Sequence, residues 1–587
     1  VPAGVLVPEP PRCTPDEAAE LVRRHRADMA KLVAAEDPDG GVDLLVAPPG
    51  LGKTTGTKEV LRALQAAAPA QYRILWLAER HALLDAIVDG WPNMLHVRPR
   101  SDQNCLRFVG DVQPMIEAGW GGAVNAQVCL ECPHHPRNVR PGQEPCAYQR
   151  ELRDARLSWA CVHHLVTLTD VAHRAHRIVV DEDFLRACVK KRRYTPAALA
   201  SIREQVRATN PDVNLALCRL MDVLEHAKLG AKACAGVELA RVFQGVDLAA
   251  VLADIKLVLG ADLRRQLPSV WPRGRPAPVA PHPRPLLEAL EHLLRGRAAP
   301  IRWEGKAWFA AWIERPRFFN RPVLCLDASA DPELLDLVLG RKVRVHKFDV
   351  PFIAPVIQLT DGVYGRKSLY SPAGSEGVKV REQVVARLLR AVTTRARLCA
   401  GRTLLVTFKK LAAWLLSDPA GRKLLPENVE VAYYGNLRGS DYSSFGQIIL
   451  LGFPFHAPAD LALTANALHA GEDPIDLATI EDVVPYCATN DWTKPGENPF
   501  DHPGGPAGLR VRRFVDPRLE RVRRQFEDGE FWQAVNRIRQ VNDPTKITIL
   551  LTAMPIAPEH GVAVRLVTYE DLVPVQATEG SPASHRR

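Results

Sequence analysis

Val46-Ala47-Pro48-Pro49-Gly50-Leu51-Gly52-Lys53-Thr54-Thr55 decides how this chain is read. The apolar run before it, residues 42–47, is predicted to be a short buried strand, and Thr55 to Ala66 after it carries a helical apolar period. Strand, glycine-bearing turn and helix in that order make a phosphate cradle, in which backbone N–H groups and the helix N-terminus face the phosphates. Lys53 would reach the β and γ oxygens, and Thr54 would offer its hydroxyl to Mg2+. Ala47 stands where the common G-x-x-x-x-G-K-T form has its first glycine. ATP is the expected ligand, with Gly50, Gly52, Lys53, Thr54 and Thr55 around it.

Phosphate chemistry also needs acids and a compensating positive charge. Ile178-Val179-Val180-Asp181-Glu182-Asp183 is an apolar strand that delivers carboxylates to its C-terminal edge. Asp181 is expected to hold Mg2+ through water, and Glu182 to polarise an attacking water. Gln533-Ala534-Val535-Asn536-Arg537-Ile538-Arg539-Gln540 places two arginines near the end of the chain, where a finger could cross a cleft. Gln533, Arg537 and Arg539 therefore join Lys53, Asp181 and Glu182 as candidate catalytic residues.

At 587 residues and 64.8 kDa the chain exceeds one ordinary core and suits two large domains with insertions. Its 47% hydrophobic content supports packed cores. A net charge of +9 and a pI near 9.0 admit a polyanionic partner. No apolar run approaches the roughly 20 residues of a membrane-spanning helix, so no membrane partner is expected. The opening VPAGVLVPEPPR lacks the basic, apolar and cleavage regions of a signal peptide. The expected location is cytoplasmic, and there the twelve cysteines are not a disulfide framework.

These stretches, in this order, resemble those of a superfamily 2 DNA or RNA helicase built from two RecA-like domains. APPGLGKT (47–54) is similar to motif I, ILWLAERHALLDAI (74–87) to Ia, VVDED (179–183) to II and LDASA (326–330) to III. LLVTFKK (404–410), GNLRGSD (435–441) and QAVNRIRQ (533–540) resemble motifs IV, V and VI. The resemblance implies an α/β fold, ATP hydrolysis with Mg2+, and backbone contacts to nucleic acid from motifs Ia, IV and V. It implies an arginine finger from motif VI, matched best by Arg537, with Arg539 one position from the usual final arginine. Asn536 replaces a frequent glycine, and Ser329-Ala330 stands where Ser-Ala-Thr is common.

The expected organisation is an N-terminal helical extension (1–36), a first RecA-like domain (37–342) and a second (343–575), then a disordered tail (576–587). The first domain would carry a cysteine-rich insertion (93–160) and a mainly helical, Pro-rich insertion (185–320). The second would carry a loop-rich insertion (456–515). Cys105, Cys129, Cys132 and Cys146 can close a tetrahedral sulfur site for zinc or an iron–sulfur cluster. Their place between motifs Ia and II resembles the iron–sulfur domain of XPD/DinG-like helicases, including the His163-His164-Leu165 stretch, and so implies a [4Fe–4S] cluster, with Zn2+ as the alternative. His134 and His135 could replace one sulfur.

Two functions follow. One is a helicase or translocase on single-stranded DNA, in preference to RNA, with 5′→3′ polarity implied by the iron–sulfur resemblance. The other is a non-unwinding, nucleic-acid-binding ATPase switch or remodelling module. Either could serve replication or repair proteins, and neither needs a ring, since one chain holds both halves of the ATP site.

Overall fold

The computed structural model describes residues 13–573 apart from 36–39, 69–71, 118–123, 125–127, 154–157, 163–168, 183, 208–210, 229–242, 244, 261–282, 317, 319, 372–378, 438–440 and 490–502. The expected tail 576–587, most of the Pro-rich connection, Asp183 and the His163-His164 pair lie outside the described residues.

The fold is α/β, organised on two parallel sheets. In the first, seven strands run in the order 343–347, 42–46, 323–327, 177–181, 74–78, 158–162, 94–96, and every pairing is parallel. The strands Ile74–Ala78, Arg177–Asp181 and Val323–Asp327 are buried along their whole length. Continuous runs such as ILWLA and VLCLD are what a parallel sheet covered on both faces requires. Val42–Val46 lies beside Val323–Asp327, which lies beside Arg177–Asp181. The carboxyl ends of these three strands therefore gather the glycine-bearing loop, Asp327 and Asp181 at one edge, where open α/β sheets hold their ligands.

The second sheet has six parallel strands in the order 429–433, 403–407, 447–451, 547–551, 356–359, 565–567. Its core is one cluster that includes Leu405, Ile449, Leu550, Phe531 and Trp532.

Two expected boundaries move, and two regions hold structure beyond the expectation. Val343–Lys347 pairs with Val42–Val46, so the first lobe runs past 342; Arg344 and His346 both reach Asp43, at 2.9 and 2.8 Å, and hold this half-exposed edge strand in place. The insertion expected at 93–160 is narrower, because Met94–His96 and Ser158–Val162 are strands of the first sheet. Three residues are too few to show a period, which hid the first of them. Within 185–320, beside helices such as Pro211–Lys228 and Arg284–Leu294, the strands Val189–Tyr194, Ile301–Glu304 and Ala307–Ile313 form an antiparallel sheet that the sequence reading did not include.

Among its described residues, the region 456–515 carries more regular structure than expected. It holds the helix Pro458–Leu468 and a long hairpin, Thr479–Thr489 with Pro503–Phe514. Every residue of the helix from Leu461 to Leu468 is buried, and a helix covered on all sides has no amphipathic stripe to find. Leu461, Ala465 and Leu468, with Leu519, Val522 and Phe526, pack into the core of the first lobe. The segment therefore bridges the lobes: its helices pack into the core of the first, while Val484 and Val511 of the hairpin join the core of the second.

Candidate functional site

The glycine-bearing loop leaves the strand Val42–Val46 and enters the helix Lys53–Ala67. Gly50 and Gly52 have φ of 91° and 96°, a region that residues with a Cβ rarely adopt, so the two glycines are what allow the loop to turn. Lys53 Nζ donates to the Ala47 carbonyl at 2.6 Å, folding its side chain back over the loop. Desolvation pulls the Lys53 ammonium below its ordinary pKa, against Glu182, Asp327 and Asp181, whose charges hold it up.

Asp181 is fully buried at the end of its strand. Thr54 Oγ1 donates to its Oδ1 at 3.1 Å, while Oδ2 has no hydrogen-bond partner. Burial, then the neighbouring Glu182 charge, pushes the carboxyl up to about 8. A buried carboxylate oxygen without a partner, beside a hydroxyl and a lysine, fits a divalent cation, whose charge would stabilise the ionised form. Glu182 has φ 57°, a left-handed backbone that is uncommon outside glycine, and its N–H donates to the Leu326 carbonyl at 2.9 Å. This conformation ends the strand and turns Glu182 away from it.

Asp327 was not singled out from the sequence, although it ends the apolar run VLCLD as Asp181 ends IVVD. Its Oδ1 accepts from the Ser329 N–H at 2.8 Å and from Ser329 Oγ at 3.2 Å. Glu182, Asp327, Asp331 and Gln525, among others, line a small hollow beside this edge.

The second lobe closes on the site. A Cβ on Gly50 would stand 3.2 Å from Arg539 Cβ and Cγ and from Val541 Cγ1. Arg539, itself left-handed at φ 62°, extends Nη2 to 3.4 Å from Asp441, whose carboxyl lies below its ordinary pKa chiefly through the Ser443 N–H. Arg537 adds a weaker charge there, and its N–H donates to the Ala534 carbonyl at 3.1 Å. Gln533 is buried, with Nε2 at 3.5 Å from Ser329 Oγ, a loose contact. Arg186, just beyond the acidic pair, meets Glu530 at 2.9 Å. Arg80 reaches Asn436 across the lobes. The structure therefore brings Gly50, Gly52, Lys53, Thr54, Asp181 and Glu182 together, with Arg539 against the loop; Thr55 is exposed on the helix.

Arg26 and Asn542 were also missed. Arg26 Nε donates to the Leu51 carbonyl at 2.9 Å, and Asn542 Nδ2 donates to the Gly50 carbonyl at 3.1 Å. Neither sits in a recognisable pattern.

The cysteine insertion forms a small packing unit of its own around Cys105, Val112, Met115 and Cys129. Cys146 Sγ donates to the Asn104 carbonyl at 3.3 Å, and its interaction with Cys105 lowers the Cys146 thiol pKa and raises that of Cys105. Cys129 lies near Cys132 and Cys146, and Arg100 Nη2 approaches its sulfur to 3.5 Å. Among the described residues no three His, Cys, Asp or Glu side chains are gathered closely enough to enclose a metal ion. His134 Nδ1 is instead 3.3 Å from Gln143 Nε2.

Fold and site define a two-lobed parallel α/β protein with a glycine loop, a lysine and an acidic pair at the lobe junction. No protein family profile matches the chain, and no curated protein matches it in sequence. Among similar solved structures is the DUF1998 helicase MrfA bound to DNA, 11% identical over 80% of this chain and 49% of its own, with a TM-score of 0.30. The DExH-box NTPase HrpB of E. coli is 11% identical over 92% of this chain and 42% of its own, at 0.30. S. cerevisiae Dbp5 bound to RNA is 9% identical over 79% and 86%, at 0.28. The chain spans less than half the length of the first two. These superpositions are too loose to assign a substrate, and the fold stands on the strand order above. Among the described residues no helix is long and apolar enough to cross a membrane.

Proposed function

We propose that the protein is a nucleic-acid-dependent ATPase that works as a helicase or translocase, on single-stranded DNA in preference to RNA and with 5′→3′ polarity. The observation that carries this is the pairing of Thr54 with a buried, half-satisfied Asp181 at the junction where Arg539 backs onto Gly50. In this scheme the loop amides and Lys53 bind the ATP phosphates, and Thr54 and Asp181 hold Mg2+. Glu182 takes the proton of the attacking water, and Arg537 or Arg539 offsets charge in the transition state. Gln533 orients the finger through its place beside Ser329. Basic side chains along both lobes would hold a strand by its phosphates, with salt-dependent affinity.

Cys105, Cys129, Cys132 and Cys146 would hold a [4Fe–4S] cluster, or Zn2+ in the alternative. Such a group would supply cross-linking of the insertion rather than chemistry at the ATP site. The experiment is ATP hydrolysis measured without polymer, with single-stranded DNA, with duplex DNA and with RNA. Stimulation by single-stranded DNA supports the proposal, and equal rates in all four refute it. Duplexes with opposite tails then test polarity.

One observation favours the second reading, an ATP-driven switch. The segment 458–526 packs into both cores, Leu461 and Leu519 in the first lobe and Val484 and Val511 in the second, and such a bridge would restrain how far the lobes part. A switch would form a tight ATP-dependent complex with nucleic acid but separate no strands.

A further inference from the structure

Two consecutive carbonyls of the glycine loop are held from outside. The Leu51 carbonyl accepts from Arg26 Nε at 2.9 Å, and the Gly50 carbonyl accepts from Asn542 Nδ2 at 3.1 Å. The two donors are themselves joined, Arg26 Nη2 donating to Asn542 Oδ1 at 3.0 Å. Arg26 comes from the N-terminal helix Pro15–Ala34. Asn542 comes from the short turn Gln540–Asn542 that precedes a strand of the second lobe. Three parts of the chain far apart in sequence therefore meet on one loop. Arg539 and Val541, on the same turn, close off the space beside Gly50, so the loop is pressed as well as bonded.

We infer that Arg26 and Asn542 are positioning residues for nucleotide binding, forming a clamp that couples the phosphate loop to the second lobe. The inference rests on the proposal that this loop binds the phosphates of ATP. A peptide unit holds its C=O and N–H antiparallel, so fixing the Gly50 and Leu51 carbonyls outward fixes the N–H groups of Leu51, which bonds the Pro48 carbonyl at 3.2 Å, and of Gly52, which is left for phosphate, on the opposite side. Phosphate binding in such a loop is by N–H groups. Because half of the clamp belongs to the second lobe, the loop is preorganised only while that lobe is in place. Parting of the lobes would break the Asn542 bonds and slacken the loop, which couples nucleotide release to lobe movement. Arg26 forms one bond to each partner through different guanidinium nitrogens, a geometry that lysine cannot reproduce.

The test compares Arg26→Ala, Asn542→Ala, the double variant and Arg26→Lys in the full chain. The readouts are affinity for a fluorescent ATP analogue, KM and kcat for ATP, thermal unfolding, and amide hydrogen exchange of residues 47–56 without nucleotide. Each alanine variant should weaken nucleotide affinity and raise KM about tenfold, the worth of a charge-assisted hydrogen bond. kcat at saturating ATP should change far less. The double variant should be no worse than either single one, because both residues act on the same loop. Arg26→Lys should recover only part of the loss. Unchanged affinity, additive losses, or losses that merely track a lower melting temperature would overturn the clamp. If the wild-type protein binds no adenine nucleotide, the ATPase proposal fails by itself, and the exchange data still decide the clamp. Faster exchange in both alanine variants upholds it, and exchange equal to wild type refutes it.

Discussion

The hydroxyl of Thr54 points at the carboxyl of Asp181 across 3.1 Å, joining the first turn of the helix Lys53–Ala67 to the end of a strand 127 residues later. The second oxygen of the same carboxyl is buried without a partner. Such an oxygen costs about 1–3 kcal/mol unless something binds it, and a divalent cation held by Thr54 and Asp181 would offset that cost.

Lys53→Ala is expected to weaken ATP binding and nearly abolish hydrolysis. Glu182→Gln should keep nucleotide affinity close to wild type while lowering kcat by about 10²–10⁴, the span attributed to a positioned general base. Equilibrium binding and steady-state hydrolysis on the same preparations separate the two. Equal loss of affinity in both variants would remove Glu182 from the role of base.

Arg537 and Arg539 compete for the finger. Sequence alignment favours Arg537, while the packing places Arg539 on the glycine loop. Replacing the true finger by alanine should lower kcat by about 10²–10³, equivalent to about 2.7–4 kcal/mol of transition-state stabilisation. Arg539→Ala that hydrolyses normally while Arg537→Ala fails would uphold the alignment; the reverse would uphold the packing. Normal turnover in both would refute a cross-cleft arginine.

The cysteine set is decided by metal and sulfide analysis with a visible absorption spectrum on anaerobically purified protein. About four iron and four sulfide per chain are expected for a [4Fe–4S] cluster. One zinc and no sulfide would keep the sulfur site and reject the cluster. Cys105→Ser should lose the metal and loosen the insertion, yet leave ATP binding nearly intact, because the insertion packs as its own unit. Full iron in Cys105→Ser, with loss in His134→Ala or His135→Ala, would replace the ligand set.

His560 stacks on Trp532 with ring centroids 3.9 Å apart and planes within 6°. Burial pulls its pKa from 6.5 down to about 4. The unfolded chain thus binds the proton more readily than the folded one between those values. Stability is full above pH 6.5 and falls as the pH drops toward 4, by at most about 3 kcal/mol once solvent screening is allowed for. Denaturant unfolding followed by tryptophan fluorescence should show this slope in wild type and a shallower one in His560→Gln. Identical slopes would exclude His560 as its source.

The sequence by itself determined the local chemistry. GLGKTT between a strand and a helix, and IVVDE at the end of an apolar run, are local patterns because a phosphate loop and an acidic strand end are built from neighbouring residues. Buried strands such as Ile74–Ala78 and Val323–Asp327 were legible for the same reason, since each is a continuous apolar run. Tertiary structure alone decided which distant residues complete the site. Arg26 and Asn542 carry no local signature, because their partners are the backbone and side chains of other segments. It also decided which lobe owns a segment. Val343–Lys347 joins the first sheet by pairing with a strand some 300 residues earlier, consistent with the spacing of Asp43 and Arg344. Pro458–Leu468, buried on every side, shows no period that sequence could expose, because its surroundings come from the other lobe and from the inserted sheet.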